Sequence, residues 1–177
     1  ALYNQYCAQC HGAELNGGMA SSLIDGVWQF GAEDSYIHRN IKHGIPHLGM
    51  PSYERSMTDS EIRAVVQYIR NAEQEKIYSI FTKQKGEIVT GVVRRQEANK
   101  NFIIEVNKTD ALFPVREKLP GENFRRGDRI KAVITQVLKE SKGPQVIVSR
   151  IDPRFLSKLL ELEIPEIANG NIQIKDI

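Results

Sequence analysis

The spacing of apolar residues changes from a helical to an alternating period near residue 86, and this change limits the possible folds most strongly. Before it, "TDSEIRAVVQYIRNAEQ" (58–74) opens with a capping box, Thr58 and Glu61, and carries one apolar helical face. The residues of that face are Ile62, Val65, Val66 and Ile69. After the change, short β-branched runs are divided by polar turns, which indicates strands. The pattern predicts an all-α module followed by a β module.

Five β-branched runs in the second module predict a small closed, OB-like barrel. They are "GEIVTGVVRR", "NFIIEV", "ALFPV", "DRIKAVITQVL" and "PQVIVS". A final helix is predicted to start at Asp152, with Pro153 in its first turn. The closing "NIQIKDI" is expected to form a strand that leads into a further, truncated domain. The predicted boundaries are 1–73 for the helical domain, 74–85 for a helical junction, 86–150 for the barrel and 151–177 for the closing segment.

The composition is that of a folded, water-soluble chain, with 41% hydrophobic and 26% charged residues. No apolar run approaches the roughly 18 residues that a membrane-spanning helix needs. The net charge of +2 hides a difference between the halves, since residues 1–75 carry −4 and residues 76–177 carry +6. The basic half is therefore a candidate for binding nucleic acid.

The stretch "CAQCHG" places Cys7 and Cys10 one helical turn apart, with His11 directly behind. Two thiols at this spacing can form thioethers with the two vinyl groups of one porphyrin edge, and the imidazole can then reach the iron. Zinc would need further ligands, and a redox dithiol is expected beside a strand-helix-strand pattern, which is missing. The other histidines fit no familiar zinc-finger spacing: His38, His43 and His47. The motif favours a single covalent haem c over these alternatives.

A second axial ligand to the iron is expected downstream, and Met50 in "GIPHLGMPSY" is the best candidate. Gly49 allows close backbone approach and Pro51 stiffens the chain, so this loop is suited to presenting one side chain. Met19 follows the cysteine motif too closely to reach the far face of the haem, and Met57 stands at a helix start; both are expected in the core or at the surface.

Three further residues are candidates for the haem surroundings. Trp28, Arg39 and Tyr53 could donate hydrogen bonds to haem propionates or pair with them. Each could equally be an ordinary core or surface residue.

Residues 1–72 resemble a class I cytochrome c domain, in particular the small domains attached to quinoprotein dehydrogenases. The resemblance rests on the attachment helix, the glycine-rich loops, "GIPHLGMPSY" and a last helix that opens with "TDSEI". It implies one haem c, with Cys7 and Cys10 attached to it and His11 and Met50 as axial ligands. It further implies one-electron transfer with a partner such as a dehydrogenase or an oxidase.

The barrel carries aromatic and basic residues in a pattern that is typical of an RNA-binding surface. Phe102 and Phe113 fall on the second and third strands, which form the usual ligand face of small five-stranded barrels. The basic residues expected around them are Arg94, Arg95, Lys100, Arg116, Arg125, Arg126 and Arg129. The alternative is that both phenylalanines belong to the core and that the charges only solvate the surface.

Residues 74–177 resemble the segment of the bacterial transcription factor NusA that contains its RNA-binding barrel. The matching stretches are "GEIVTGVV", "LPGENFRRGDRIKAVI", "GPQVIVSR" and "PRFLSKLLELEIPEIANGNIQIKDI". This resemblance implies partners in RNA and the transcription machinery, with a role in transcription termination and antitermination.

The two resemblances imply different compartments, because haem c is attached in the periplasm whereas transcription factors work in the cytoplasm. The join could be an engineered chimera, a sequence assembled from two genes or an unusual natural fusion, and we expect an artificial or erroneous join. The first functional hypothesis is an electron-transfer haem c protein fused to an RNA-binding barrel. The alternative is an RNA-binding fragment of a transcription factor, joined to a non-functional cytochrome half.

No enzymatic activity is expected from this sequence. It shows no nucleophile and base pair, no phosphate-binding loop and no carboxylate dyad at usable spacing. The residue pattern gives no indication of the oligomeric state.

Overall fold

The structure is a computed structural model that describes residues 2–175, and the chain divides into two units between Lys76 and Ile77. The first unit is helical. The second contains a closed five-stranded barrel followed by a helix. The predicted order of a helical module, a barrel and a closing helix is confirmed.

Among the described residues, a 3₁₀ turn (Pro46–Leu48) and four α-helices precede the barrel: α1 (Leu2–Tyr6), α2 (Ala8–His11), α3 (Asp34–His43) and α4 (Asp59–Thr82). The capping box predicted for α4 is present. The Thr58 backbone N–H donates to Glu61 Oε2 at 2.7 Å, and the Glu61 N–H donates to Thr58 Oγ1 at 3.3 Å. Within the described residues, no helix is both long and apolar enough to span a bilayer.

The core of the first unit forms where α1, α3 and the first part of α4 meet. The apolar face predicted for α4 is buried there, because residues three and four positions apart lie on the same side of a helix. The buried members of this cluster are Tyr3, Leu15, Ile37, Ile41, Met57, Ile62, Val65, Val66 and Ile69. We call this group the helical core.

The barrel consists of β1 (Ile88–Gln96), β2 (Phe102–Val106), β3 (Thr109–Phe113), β4 (Arg129–Val137) and β5 (Val146–Ser149). The strand order around the barrel is β1-β2-β3-β5-β4. Closure requires a parallel contact between β3 and β5, where Ala111 pairs with Val146, and all other pairs are antiparallel. Closure leaves no open sheet edge for pairing with another chain.

Side chains from all five strands fill the barrel interior, and the last turns of α4 pack against them through Ile77 and Phe81. The buried strand residues are Val89, Val93, Phe102, Ile104, Val106, Ala111, Phe113, Ile130, Ala132, Ile134, Val146 and Val148. We call this group the barrel core.

The closing segment forms α5 (Pro153–Glu163) and a short α6 (Pro165–Ala168). As predicted, Asp152 caps α5, since its carboxylate accepts the Arg154 N–H at 3.0 Å. The strand predicted for "NIQIKDI" is wrong over residues 171–175, which form no strand. The last two residues of that stretch lie outside the described part of the chain.

Candidate functional site

Cys7 lies at the break between α1 and α2, and Cys10 lies within α2. The Cys7 N–H donates to the Tyr3 carbonyl at 2.8 Å, and the Cys7 carbonyl accepts the N–H groups of Cys10 and His11 at 3.1 and 3.0 Å. These bonds set Cys10 one turn after Cys7 and place His11 immediately behind it. Both cysteines are free thiols.

The His11 ring is oriented by a backbone acceptor. Its Nδ1 lies 2.9 Å from the carbonyl oxygen of Ser21. Because a carbonyl can only accept, this contact assigns the proton to Nδ1 and leaves the lone pair on Nε2. That tautomer is the one in which Nε2 can bind a metal.

The loop after the cysteine motif folds back on it. The Gly17 N–H donates to the His11 carbonyl and the Ala20 N–H donates to the Cys10 carbonyl, both at 2.9 Å. Gly12 has a φ of 79°, and a Cβ at this position would lie 2.6 Å from the Gly17 carbonyl oxygen. The close approach requires glycine at position 12.

Met50 is presented by a tight loop. The Ile45 N–H donates to the Met50 carbonyl at 2.9 Å, and the Met50 N–H donates to the Ile45 carbonyl at 3.2 Å. Gly44 has a φ of 72°, and a Cβ there would lie 2.6 Å from the Pro51 carbonyl carbon. The Met50 side chain packs against the helical core and is partly exposed. The Met50 backbone is thereby fixed at both ends.

Replacing Gly44 with alanine is expected to destabilise the first unit more than replacing Gly49 with alanine. Both residues have positive φ, which costs an L-residue roughly 1–2 kcal/mol. A Cβ at Gly44 also clashes with backbone, whereas one at Gly49 meets nothing within 4 Å. Thermal unfolding followed by circular dichroism measures the two shifts. Equal shifts would show that the loop yields at Gly44.

The two thiols differ in their surroundings. Cys7 packs against the helical core, whereas Cys10 is exposed. Burial raises the pKa of Cys7 to about 11, with a smaller contribution from neighbouring Cys10. Burial also raises the pKa of Tyr53, with smaller contributions from Cys7 and Cys10.

In the haem-free chain, iodoacetamide is expected to modify Cys10 at least about tenfold faster than Cys7. The attacking species is the thiolate, and Cys7 is less accessible than Cys10 and has a raised pKa. Peptide mass spectrometry after timed quenching measures the two rates. The urea-unfolded chain is the control, in which the difference should disappear. Faster modification of Cys7 in the folded chain would contradict the described packing.

Two of the three side chains predicted to surround the haem lie on the same cluster as the proposed ligands. Trp28 and Tyr53 pack against the helical core together with Cys7 and Met50, whereas Arg39 is exposed. Trp28, Tyr53 and Arg39 donate hydrogen bonds inside the unit, to Glu73 at 3.4 Å, to the Tyr6 carbonyl at 2.8 Å and to Asn40 at 3.2 Å, respectively.

The remaining methionines and histidines lie away from any ligand cluster. Met57 is buried in the helical core, and Met19 is 77% exposed. His38, His43 and His47 contact Asp59, Glu54 and Phe30, respectively. Among the described residues, no group of three or more His, Cys, Asp or Glu side chains is placed to hold a metal ion. The geometry therefore gives no support to a zinc site.

The residues present fit a haem. Two unpaired thiols stand one turn apart, an imidazole beside them has its Nε2 lone pair available, and a thioether lies on a loop that packs against the same core as Cys7. Sulfur and imidazole donors of this kind are those used for axial and covalent haem binding.

The structure places the predicted RNA-stacking phenylalanines inside the barrel. Phe102 and Phe113 are 5% and 0% exposed and pair with each other across β2 and β3. Their ring centroids lie 6.0 Å apart, and the Phe124 ring packs against both. Because a buried ring offers no face to a base, we assign Phe102 and Phe113 to the barrel core.

Three of the predicted basic residues are paired with carboxylates. Arg94 bonds to Glu105 across β1 and β2, and Arg116 lies 3.5 Å from Glu117. Arg95 lies 3.6 Å from Asp110. Exposed pairs of this kind reduce the positive charge that is offered to a phosphate. Lys100 and Arg129 are exposed and form no ion pair with another described residue.

Two of the other predicted arginines, Arg125 and Arg126, lie in the segment between the 3₁₀ turn Val115–Glu117 and β4. This basic loop, residues 118–128, exposes Arg125 and Arg126, and neither guanidinium pairs with a carboxylate among the described residues. The Arg125 N–H donates to Asp128 Oδ2 at 2.7 Å, which shapes the turn.

Residues 1–69 match the family model described as cytochrome c oxidase, cbb3-type, subunit III. Among solved structures, the KustC0563 c-type cytochrome is 29% identical and covers 41% of this chain and 93% of its own, with a TM-score of 0.37.

Curated relatives of the chain are transcription termination/antitermination proteins NusA. The protein of Halalkalibacterium halodurans is 43% identical over 115 residues, which cover 65% of this chain and 30% of the relative. That of Rickettsia conorii is 41% identical over 163 residues, covering 88% and 32%, respectively. The chain thus spans about a third of the length of these relatives. Only 108 residues of the chain follow residue 69, and both NusA matches are longer than that. Each match therefore includes part of the segment that the cytochrome model covers. The chain therefore resembles a cytochrome family over residues 1–69 and NusA proteins over the rest.

Proposed function

We propose that the first unit binds one haem c through Cys7 and Cys10 and carries single electrons, with His11 and Met50 as axial ligands. The observation that supports this most directly is the 2.9 Å contact from His11 Nδ1 to the Ser21 carbonyl, which leaves Nε2 free directly behind the two thiols. A ring that was merely solvated would not need a fixed tautomer.

The bound group would supply a one-electron couple between ferric and ferrous iron, and the residues of this chain would hold and tune it. As a ligand of the iron, the Met50 thioether would favour the ferrous form and raise the reduction potential. The Ser21 carbonyl strengthens His11 as a ligand. If His11 and Met50 both hold the iron, no position would remain on it for a substrate or for oxygen. We therefore propose an electron carrier rather than an enzyme, with a dehydrogenase or oxidase as its partner.

Intact mass and a pyridine haemochrome spectrum test this proposal on protein produced in a host that attaches haem c. The wild-type chain is expected to gain the mass of one haem, and Cys7→Ser/Cys10→Ser to gain none. The double variant is the matched control, because it keeps His11 and Met50. A matured wild-type sample with the mass of the polypeptide alone would refute the proposal.

As a second function, we propose that the other unit binds single-stranded RNA through the basic loop. Its support is the pair of exposed arginines, Arg125 and Arg126, beside unpaired Arg129 at the start of β4. The names of the NusA relatives place those proteins in transcription termination and antitermination. Guanidinium groups that are free of carboxylates can bind phosphate without first breaking an ion pair.

Fluorescence anisotropy with a labelled single-stranded RNA, measured over a range of salt concentrations, tests the RNA proposal. Arg125→Ala/Arg126→Ala is expected to weaken binding and to reduce the log–log salt slope by about 1.4, the value for two lost phosphate contacts. Arg94→Ala/Arg95→Ala removes the same charge and should change binding less, because both arginines face carboxylates. Equal effects of the two double variants would reject the loop as the contact.

The two proposed functions require different compartments, since haem c attachment belongs to the periplasm and RNA binding to the cytoplasm. We propose that the join is artificial and that each half keeps the chemistry of its own segment. The haem and RNA assays above use different readouts, so either function can fail without affecting the test of the other.

A further inference from the structure

Arg150, the residue directly after β5, contacts more parts of the second unit than its position suggests. Its side chain is 17% exposed and reaches the basic loop, where Nε lies 3.0 and 3.1 Å from the two carboxylate oxygens of Glu122. Its Nη1 donates to the Lys131 carbonyl on β4, and its backbone N–H donates to the Glu117 carbonyl at 2.9 Å. Arg150 therefore connects the end of β5 to β4, to the 3₁₀ turn Val115–Glu117 and to Glu122 in the basic loop.

The same guanidinium stacks on aromatic rings. Its Cζ lies 5.9 Å from the Phe124 ring centroid and 4.8 Å from that of Phe155 on α5. Phe124 in turn packs edge-on against Phe102 and Phe113 of the barrel core. Phe124, which directly precedes Arg125, thus packs against the barrel core on one side and against the Arg150 guanidinium on the other.

The pair that Glu122 and Arg150 form is well shielded from water, with side-chain exposures of 21% and 17%. Glu122 also accepts the Leu119 N–H at 3.1 Å, and its carbonyl accepts from Lys118 Nζ. A planar guanidinium is suited to this site, because it can donate to both carboxylate oxygens and stack on a ring at once. A lysine ammonium cannot do both.

Resting on the proposed RNA binding, we propose that Arg150 is the positioning residue of the basic loop. It fixes Glu122 and Phe124, so that Arg125 and Arg126 are presented together to the phosphates of a single-stranded RNA. Arg150 itself need not touch the RNA, since its guanidinium is already engaged on both sides.

Arg150→Lys tests this on the full chain. The substitution keeps the positive charge and removes the bidentate guanidinium. RNA affinity is expected to fall about tenfold, because the side chains of Arg125 and Arg126 and their loop must then become ordered on binding. Hydrogen exchange of amides 119–127 should become faster while exchange in β1 and β4 stays unchanged. Arg154→Lys is the matched control, because that exposed arginine pairs with Asp152 alone and should keep wild-type affinity.

A charge swap gives a readout that a general loss of stability would not produce. Arg150→Glu should bind RNA weakly, and Glu122→Arg/Arg150→Glu, which has the wild-type net charge, should recover part of the affinity. The proposal would be overturned if Arg150→Lys kept the wild-type RNA affinity and the wild-type hydrogen exchange of the loop amides. It would also be overturned if hydrogen exchange became faster in the barrel strands to the same degree as in the loop. If the wild-type chain binds no RNA at low salt, the RNA proposal fails, and loop exchange in Arg150→Lys still decides whether Arg150 orders the loop.

Discussion

The Met50→Ala variant is expected to keep a thioether-linked haem and to have a much lower reduction potential than the wild type. The thioether stabilises ferrous iron, and replacing it by water or a weaker ligand removes that preference. Axial ligation moves haem potentials over about 0.8 V in total, so a loss of this ligand should be clearly measurable by spectroelectrochemistry. Covalent attachment depends on Cys7 and Cys10 and should persist in the intact mass.

Met19→Ala and Met57→Leu are the controls for this measurement. Met19 is 77% exposed and Met57 is buried in the helical core, so neither should change the potential. Met57→Leu conserves volume and should also preserve the fold. An unchanged reduction potential in Met50→Ala, or a shifted reduction potential in Met19→Ala, would contradict the assignment of Met50 as an iron ligand.

Phe113→Ala is expected to destabilise the barrel by about 3–5 kcal/mol, the usual cost of emptying a fully buried phenylalanine site. Phe113 is 0% exposed, and the rings that contact it, Phe102 and Phe124, cannot both close the resulting cavity without distorting the strands. Hydrogen exchange of the β1 and β4 amides in the full chain reports the stability of this unit alone.

Phe113→Leu separates packing from base stacking. Leucine retains most of the buried volume, so the barrel should stay folded with a smaller loss of stability. RNA affinity should then match the wild type, because the loop arginines and not this ring make the contact. A strong loss of RNA binding in folded Phe113→Leu would restore the stacking role that the sequence suggested.

The helices and strands could be predicted because their signals are local. The capping box of α4 and the apolar face behind it depend on residues within one or two turns. The alternating runs of the barrel likewise define strands without knowledge of their neighbours. The motif at Cys7, Cys10 and His11 carries its chemistry within five residues.

The orientation of Phe102 could not be predicted, for a local reason. "FIIEV" begins with three consecutive apolar residues, so an alternating pattern does not decide which of them faces inward. Closure of the barrel decides it, and Phe102 pairs inside with Phe113. Arg94 was predicted as an RNA contact, but its partner Glu105 comes from the neighbouring strand, which the sequence alone does not place.

Backbone partners and distant contacts had no sequence signal at all. The acceptor for His11 is the carbonyl of Ser21, and any residue at that position could provide it. The anchor of the basic loop is Arg150, which follows Glu122 by 28 residues and meets it only once β4 and β5 are paired. Such contacts follow from tertiary structure and are invisible to periodicity.

Helix α4 supplies Ile62, Val65 and Ile69 to the helical core, and Ile77 and Phe81 to the barrel core. Cutting the chain between Lys76 and Ile77 would leave the barrel fragment with a helical stub of six residues, too short to hold its shape in water. Fragments intended for separate expression should therefore overlap, each keeping residues 70–82, rather than abut at a single cleavage point.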